Sequence, residues 1–268
     1  MINNLRILSL GAGVQSSTLA LMINKGEVSM VDAAIFADTG GEPKAVYDWL
    51  EWLTKQLSYP VYIVSKGNLR QDMIDAVDGK YKFLSVPLYT KNPETGKKGL
   101  LRRQCTADYK IFPVNNKVRE LLGLEKNEKR KKGTAVEMLM GISLDEVYRV
   151  KPNRIKYITN SYPLIDLKMS RQDCMEWMEK NNYPKPPRSA CTFCPFHSNA
   201  EWRRVKENKE EWDKVVELDK YIRKGTFRNT DEIFLHKDRL PIDQVNLEDK
   251  KDDQLDMFNN ECEGMCGV

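Results

Sequence analysis

The feature that most constrains this chain is an apolar run that stops at a glycine-rich turn and resumes at helical spacing: Leu5 to Met22, LRILSLGAGVQSSTLALM. Leu5, Ile7, Leu8 and Leu10 read as a buried strand. Ser9 to Ser17 read as the turn, and Thr18, Leu19, Leu21 and Met22 as the start of a helix's buried side. Gly11 and Gly13 let the backbone approach a ligand closely, and the N–H groups and positive dipole end of the following helix attract an anion, most often phosphate. Ser16 and Ser17 add hydroxyl donors at the first turn. The alternative is a tight strand-to-helix turn that holds no ligand.

The two standard phosphate motifs do not fit. A Walker loop needs Lys-Ser/Thr after its second glycine, and Gly-x-Gly-x-x-Gly fails because Ser16 stands where the third glycine belongs. Met30 to Phe36 reads as a second strand, Pro43 to Leu57 as an amphipathic helix and Pro60 to Ser65 as a third strand. Strand-helix-strand-helix-strand predicts a parallel sheet with right-handed crossovers. The carboxyl ends of neighbouring strands then share one crevice, so Asp38, Thr39 and Gly40 are expected beside Gly11 to Ser17. The alternative is that Asp38 and Thr39 cap the next helix.

Further on, Leu69 to Val77 and Val114 to Leu122 read as helices, residues 87 to 99 as a polar loop that stays mobile until something binds, and Glu137 to Gly141 as a fourth strand. Glu125 to Gly133 is a charge run expected to be a solvated loop, and Ser170 to Asp173 an N-cap pattern opening a helix through Met178. Cys174 on that helix is expected to be a packed thiol. A charged helical stretch spans roughly 200 to 224, with Trp202, Trp212 and Leu218 packing inward.

Cysteines carry the sharper chemical signal. There are six, with only two histidines, so a metal site here would be largely thiolate, which favours iron–sulfur or zinc. Arg102, Arg103, Cys105 and Lys110 suggest an anion site touching a thiol, against a solvated basic turn with an incidental buried cysteine. Cys191-Thr192-Phe193-Cys194 leaves three readings: a redox pair, a zinc knuckle or a cluster site. Cys262 and Cys266 sit in a short tail beyond a polar linker, where packing does not explain them. The net charge of +4, from 43 basic and 39 acidic residues, suits an anionic small molecule and gives no support for nucleic acid as an acceptor. No apolar stretch approaches the ~20 residues of a membrane span and no signal-peptide pattern is present, so a cytoplasmic protein without membrane contact is expected.

Ser9-Leu10-Gly11-Ala12-Gly13-Val14-Gln15-Ser16-Ser17 resembles the pyrophosphate loop of the PP-loop ATP pyrophosphatases and the phosphoadenylyl-sulfate (PAPS) reductases, with Gln15 in place of their usual Asp. Asp38-Thr39-Gly40 resembles the Asp-Thr-Gly of PAPS reductases. Cys105 to Pro113 is similar to the Cys-Cys-x-x-x-Lys-x-x-Pro of adenylyl-sulfate (APS) reductases, with Thr106 in place of the second cysteine. The order and separation of Cys105 and the later Cys-x-x-Cys also match that pattern. The resemblance covers about residues 5 to 196, and more faintly a tail similar to Glu-Cys-Gly.

The resemblance implies a PP-loop, Rossmann-like α/β fold: a parallel twisted sheet with helices on both faces and a cysteine-rich helical C-terminal extension. The expected division is 1–196, 197–243 and 244–268. It implies an enzyme acting on ATP, APS or PAPS at the phosphate or sulfate end, by sulfur transfer or sulfonucleotide reduction, with a thiol or persulfide donor protein as partner and Mg accompanying ATP. The implied nucleotide contacts are Ser9, Gly11, Ala12, Gly13, Gln15, Ser16, Ser17, Asp38, Thr39, Gly40, Lys110 and Gly141. Arg103 and Arg149 are candidate anion contacts in catalysis, and Cys262 or Cys266 the candidate nucleophile. A four-iron four-sulfur cluster, or zinc as the alternative, falls to Cys105, Cys191 and Cys194, with Cys262 or Cys266 as fourth ligand. A second class of reading is a catalytically silent nucleotide-binding protein with a structural metal site.

Overall fold

The computed structural model describes residues 4–81, 84–125, 128–129, 132–225 and 231–248. Five parallel strands form its main sheet: β1 (Asn4–Leu10), β2 (Ala33–Asp38), β3 (Val61–Ser65), then β6 (Ala135–Met140) and β7 (Ile158–Ser161), in the order β3-β2-β1-β6-β7. A separate antiparallel sheet, β5-β4-β8, joins the hairpin β4 (Tyr89–Lys91) and β5 (Lys98–Leu100) to β8 (Glu232–Phe234). The helices are α1 (Val14–Asn24), α2 (Lys44–Gln56), α3 (Leu69–Val77), α4 (Phe112–Leu121), α5 (Pro163–Asp166), α6 (Arg171–Lys180), α7 (Asn199–Glu207) and α8 (Lys209–Ile222). This is a Rossmann-like α/β fold with helices on both sides of a parallel sheet. Its topological switch point lies between β1 and β6, and ligands of such sheets bind there, beyond the carboxyl ends of the strands.

Alternation along the strands builds two cores. Leu8, Leu10, Ala34, Phe36 and Leu139 meet residues of α1, α2 and α6 on one face. Leu5, Ile7, Ala33, Ile35, Val136 and Met138 meet Val114 and Val118 of α4 on the other. Strands buried on both faces read as continuous apolar runs, which is why β1 and β2 are so visible in the sequence. A third core joins Leu69 and Met73 of α3 to Tyr109, Phe193, Trp202 of α7 and Leu218 of α8, so the C-terminal helices share their interior with the thiol-bearing segments.

Several elements differ from the sequence reading. Helix α1 begins at Val14, not near Thr18, and every residue from Val14 to Ile23 is buried, because it lies beneath α2 and α6 as well as on the sheet. The second strand runs Ala33–Asp38 rather than from Met30. The segment read as a mobile loop, 87 to 99, is the β4–β5 hairpin: Asn92 Oδ1 accepts from the N–H groups of Glu94 and Thr95 at 3.1 and 2.8 Å and closes the turn. Its three-residue strands are too short for periodicity to register, and β8 pairs with it from far along the chain. Neither β7, the last strand of the main sheet, nor β8 is visible in the sequence. The stretch from 200 to 224 is two helices, because Asn208 leaves helical geometry and caps α8. Ser170 caps α6 with a full capping box, as read. No helix among the described residues is long and apolar enough to cross a membrane.

Gly141, at the end of β6, fixes how tightly the switch point closes. A Cβ there would stand 2.6 Å from Ser16 Cα and 2.7 Å from Ser16 N, both backbone atoms. Gly141→Ala must therefore push the first turn of α1 off the sheet, and urea unfolding should show a loss of about 1–3 kcal/mol, the range for overpacking a tight interior.

Candidate functional site

The turn after β1 lies at the switch point. Ala12 holds φ +57°, a left-handed conformation that costs a non-glycine residue about 1–2 kcal/mol and so points to a positional demand. Gly13 is the N-cap of α1, without a side-chain cap and without an acidic residue in the first turn. The first turn of α1 therefore brings no acidic side chain of its own to the positive end of the helix dipole. Ser16 Oγ accepts from Gly11 N at 3.2 Å, and Ser17 Oγ from Trp49 Nε1 at 2.9 Å, so both hydroxyls are tied into the turn and the core. Ser9 and the residues from Gly11 to Ser17 are buried.

Gln15 points toward the loop after β6. Its Nε2 donates to Glu146 Oε2 at 3.3 Å and Ser143 Oγ at 3.4 Å, and Glu146, itself buried, holds Arg149 Nη1 at 2.5 Å. Arg149 thus stands at the crevice with its charge already met by a carboxylate. Gly141 is placed by close packing against Ser16, not by contact with an open pocket.

The turn after β2 takes a different course from helix capping: the N-cap of α2 is Pro43. Asp38 Oδ1 instead accepts from Gly40 N and the Tyr47 hydroxyl, both at 2.8 Å. Gly40 has φ +68° and lies against Asn68, which caps α3. Thr39 Oγ1 lies 3.1 Å from Cys191 Sγ. From here on, the Cys-x-x-Cys segment is fastened to the end of β2. Thr192 N donates to Gly41 O at 2.8 Å, and Ser189 Oγ donates to Glu42 Oε2 at 3.2 Å. The Phe193 ring lies where a Cβ on Gly41 would have to be.

One cavity gathers Thr39, Arg103, Cys105, Lys110, Cys191 and Cys194 along its wall. Cys105 and Lys110 reach it because residues Thr106–Ile111 form a π-helix continuous with α4, a wide turn common at functional sites. Arg103 stacks over the Phe196 ring at 5.6 Å. Lys110 Nζ lies 3.8 Å from Glu42 Oε1, and both side chains are buried, at 8% and 1% exposure. Glu42 Oε1 is also 3.9 Å from Cys191 Sγ. Burial pushes the Glu42 carboxyl above its usual range against the pull of Lys110 and Ser189. Burial, and then the Glu42 charge, push the Cys191 thiol well above its usual range, with Lys110 and Thr39 only partly opposing. A redox pair needs a stabilised thiolate, so these surroundings disfavour that reading of the Cys-x-x-Cys.

His197 completes the loop. Its Nε2 lies 2.9 Å from the Cys191 carbonyl oxygen, its Nδ1 3.6 Å from Glu201 Oε2, and Arg188 also pairs with Glu201. Cys174 is fully buried in the α6 core, as its spacing suggested. Cys262 and Cys266 lie outside the described residues. Among the described residues no group of three or more His, Cys, Asp and Glu side chains could hold a metal ion. Glu42, Ser189 and His197 were missed from sequence. Glu42 follows two glycines in what reads as a surface turn, and its burial depends on a partner 147 positions away.

No protein-family model and no curated protein matches the chain. Among solved structures, the PAPS reductase of Candida auris in a phosphate complex is similar at TM-score 0.42 and 16% identity, covering 69% of this chain and 76% of that one. The U34-tRNA thiolase NcsA of Methanococcus maripaludis, with its 4Fe-4S cluster, is similar at TM-score 0.44 and 14% identity, covering 100% of this chain and 82% of that one.

The buried Glu42 makes a stability prediction. Glu42→Ala removes the carboxylate facing buried Lys110 and should cost about 3–5 kcal/mol in urea unfolding. Glu42→Gln, which keeps an acceptor for Ser189, should cost clearly less.

Proposed function

We propose that the chain is an enzyme that binds an adenine nucleotide along the carboxyl edge of the sheet and carries out sulfur chemistry at its phosphate or sulfate end. In this reading a four-iron four-sulfur cluster is held by Cys105, Cys191 and Cys194. The observation that carries the proposal is the meeting of these three cysteines, from two distant segments, on one cavity walled by Arg103 and Lys110.

Three thiols on one wall suit an iron–sulfur cluster, with zinc as the alternative. Thr39, within hydrogen-bond reach of Cys191 Sγ, and the cations Lys110 and Arg103 suit a negatively charged thiolate cluster. Bound there, the cluster would supply electrons or an iron site for sulfur. Cys262 or Cys266 remains the candidate for the fourth ligand or the nucleophile.

The nucleotide phosphates fall to the uncapped N-terminus of α1, with Gly11 to Ser17 around them and Asp38 to Gly40 alongside. Arg103 and Lys110 then face the sulfate or the α-phosphate, where charge develops as the leaving group departs. The second reading, a silent nucleotide-binding protein, draws on the pairing of Arg149 with Glu146, which leaves that arginine less available to an anion. Release of pyrophosphate, AMP or sulfite from ATP or PAPS separates the two.

Two measurements test the proposal. Strictly anaerobic protein should carry about four iron and four sulfide per chain, with Cys191→Ser losing them while the far-UV spectrum is kept. Zinc in place of iron would reject the cluster. Gly13→Val should abolish nucleotide binding by filling the phosphate space, and unchanged affinity in a folded Gly13→Val variant would place the nucleotide elsewhere.

A further inference from the structure

The loop after β6 lays a carboxylate of its own against the first turn of α1. Residues Leu144–Arg149 form a 3-10 helix, in which side chains three apart share a side. Leu144 and Val147 take the outward side and are exposed. Glu146 and Arg149 take the inward side, with side chains only 7% and 12% exposed.

Glu146 Oε1 holds Arg149 Nη1 at 2.5 Å, and its Oε2 accepts from Gln15 Nε2 at 3.3 Å. Gln15 is the second residue of α1, a helix with no acidic residue in its own first turn. The close packing of Gly141 on Ser16 keeps this loop and the helix start together. An aspartate at position 15 would meet Glu146 charge to charge, whereas the Gln15 amide donates to it. Glu146 thus has the partners that a bound phosphate would take: the guanidinium and the positive end of a helix.

We propose that Glu146 is a displaceable stand-in for the phosphate of the ligand. In the free protein it neutralises Arg149, and it yields that arginine when a nucleotide phosphate arrives at the first turn of α1. The inference rests on the reading that nucleotide phosphates bind there. The exchange is of ion pairs only: one guanidinium passes from carboxylate to phosphate, while the Gln15 amide stays on Glu146. Displacing a buried carboxylate costs free energy, so a ligand draws on Arg149 only if it brings negative charge to replace it. Glu146 therefore sets affinity for the charged end of the nucleotide and leaves recognition of the nucleoside untouched.

Calorimetric titration of the full chain with ATP and with adenosine tests this. Glu146→Gln keeps the shape of the side chain and an acceptor for Gln15 but removes the competing charge. It should bind ATP about tenfold more tightly than the unmodified protein, the scale of one charge-assisted contact. Glu146→Ala should gain as well, so the outcome does not hang on one variant's folding. Adenosine, which has no phosphate, should bind all three proteins alike. Adding Arg149→Met to Glu146→Gln should erase the gain and thereby assign it to that arginine. A purely structural ion pair predicts the opposite sign, because its loss would loosen the loop and weaken ATP. Unchanged or weaker ATP binding in both folded Glu146 variants, an equal gain for adenosine, or a gain that survives Arg149→Met would overturn the proposal and leave the nucleotide reading standing. ATP that binds none of the proteins would overturn both.

Discussion

The buried carboxylate of Glu42 is the contact on which the candidate site depends. It lies one turn beyond the end of β2, yet it faces Lys110 from the π-helix, Ser189 from the approach to the Cys-x-x-Cys, and Cys191 itself. A carboxylate held at 1% exposure is tolerated only with such partners, so the three segments must arrive together. Their arrival brings Cys105 and Cys191 to one wall. Burial first, and then this carboxylate, push the Cys191 thiol above its usual range.

Sheet topology decides where this assembly stands. Parallel strands with helices on both faces direct every strand-to-helix turn to one edge, so the turns after β1, β2 and β6 become neighbours whatever their sequence separation. The turn after β1 supplies an uncapped helix start, the turn after β2 carries Thr39 and Glu42, and the loop after β6 supplies Glu146, which joins Gln15 of α1 to Arg149. Anion-attracting and thiol-bearing groups are thereby set side by side on one edge, while Ile233 of the short sheet and Leu218 of α8 share a core with Phe193 of the thiol-bearing segment.

Much of the sheet was legible because β1, β2 and β6 are buried on both faces and write themselves as apolar runs. The register of α3, Leu69 to Val77, was legible from its periodicity alone. What could not be read were elements whose signal is non-local. β4 and β5 are three residues each, and β7 is a short edge strand of mixed polarity. The thiols followed the same division. Cysteines announce themselves by type, and the resemblance to the APS reductase pattern implied that Cys105 belongs with Cys191 and Cys194 before any fold was known. Glu42, Ser189 and His197 are ordinary residues made special by partners far away. Gly141 and Arg149 both follow β6, but their immediate neighbours, Ser16 and Glu146, gave no sequence sign.

The central claim, that thiols from two distant segments share one wall, can be tested without any cofactor. Metal-free protein would be treated in the folded state with a short bifunctional thiol crosslinker, and its linked peptides mapped by mass spectrometry. Crosslinks from Cys105 to Cys191 or Cys194 are predicted, while Cys174 stays unmodified because it is fully buried. A Cys105 that reacts with the crosslinker but links to neither would contradict the convergence from which the proposed function is drawn.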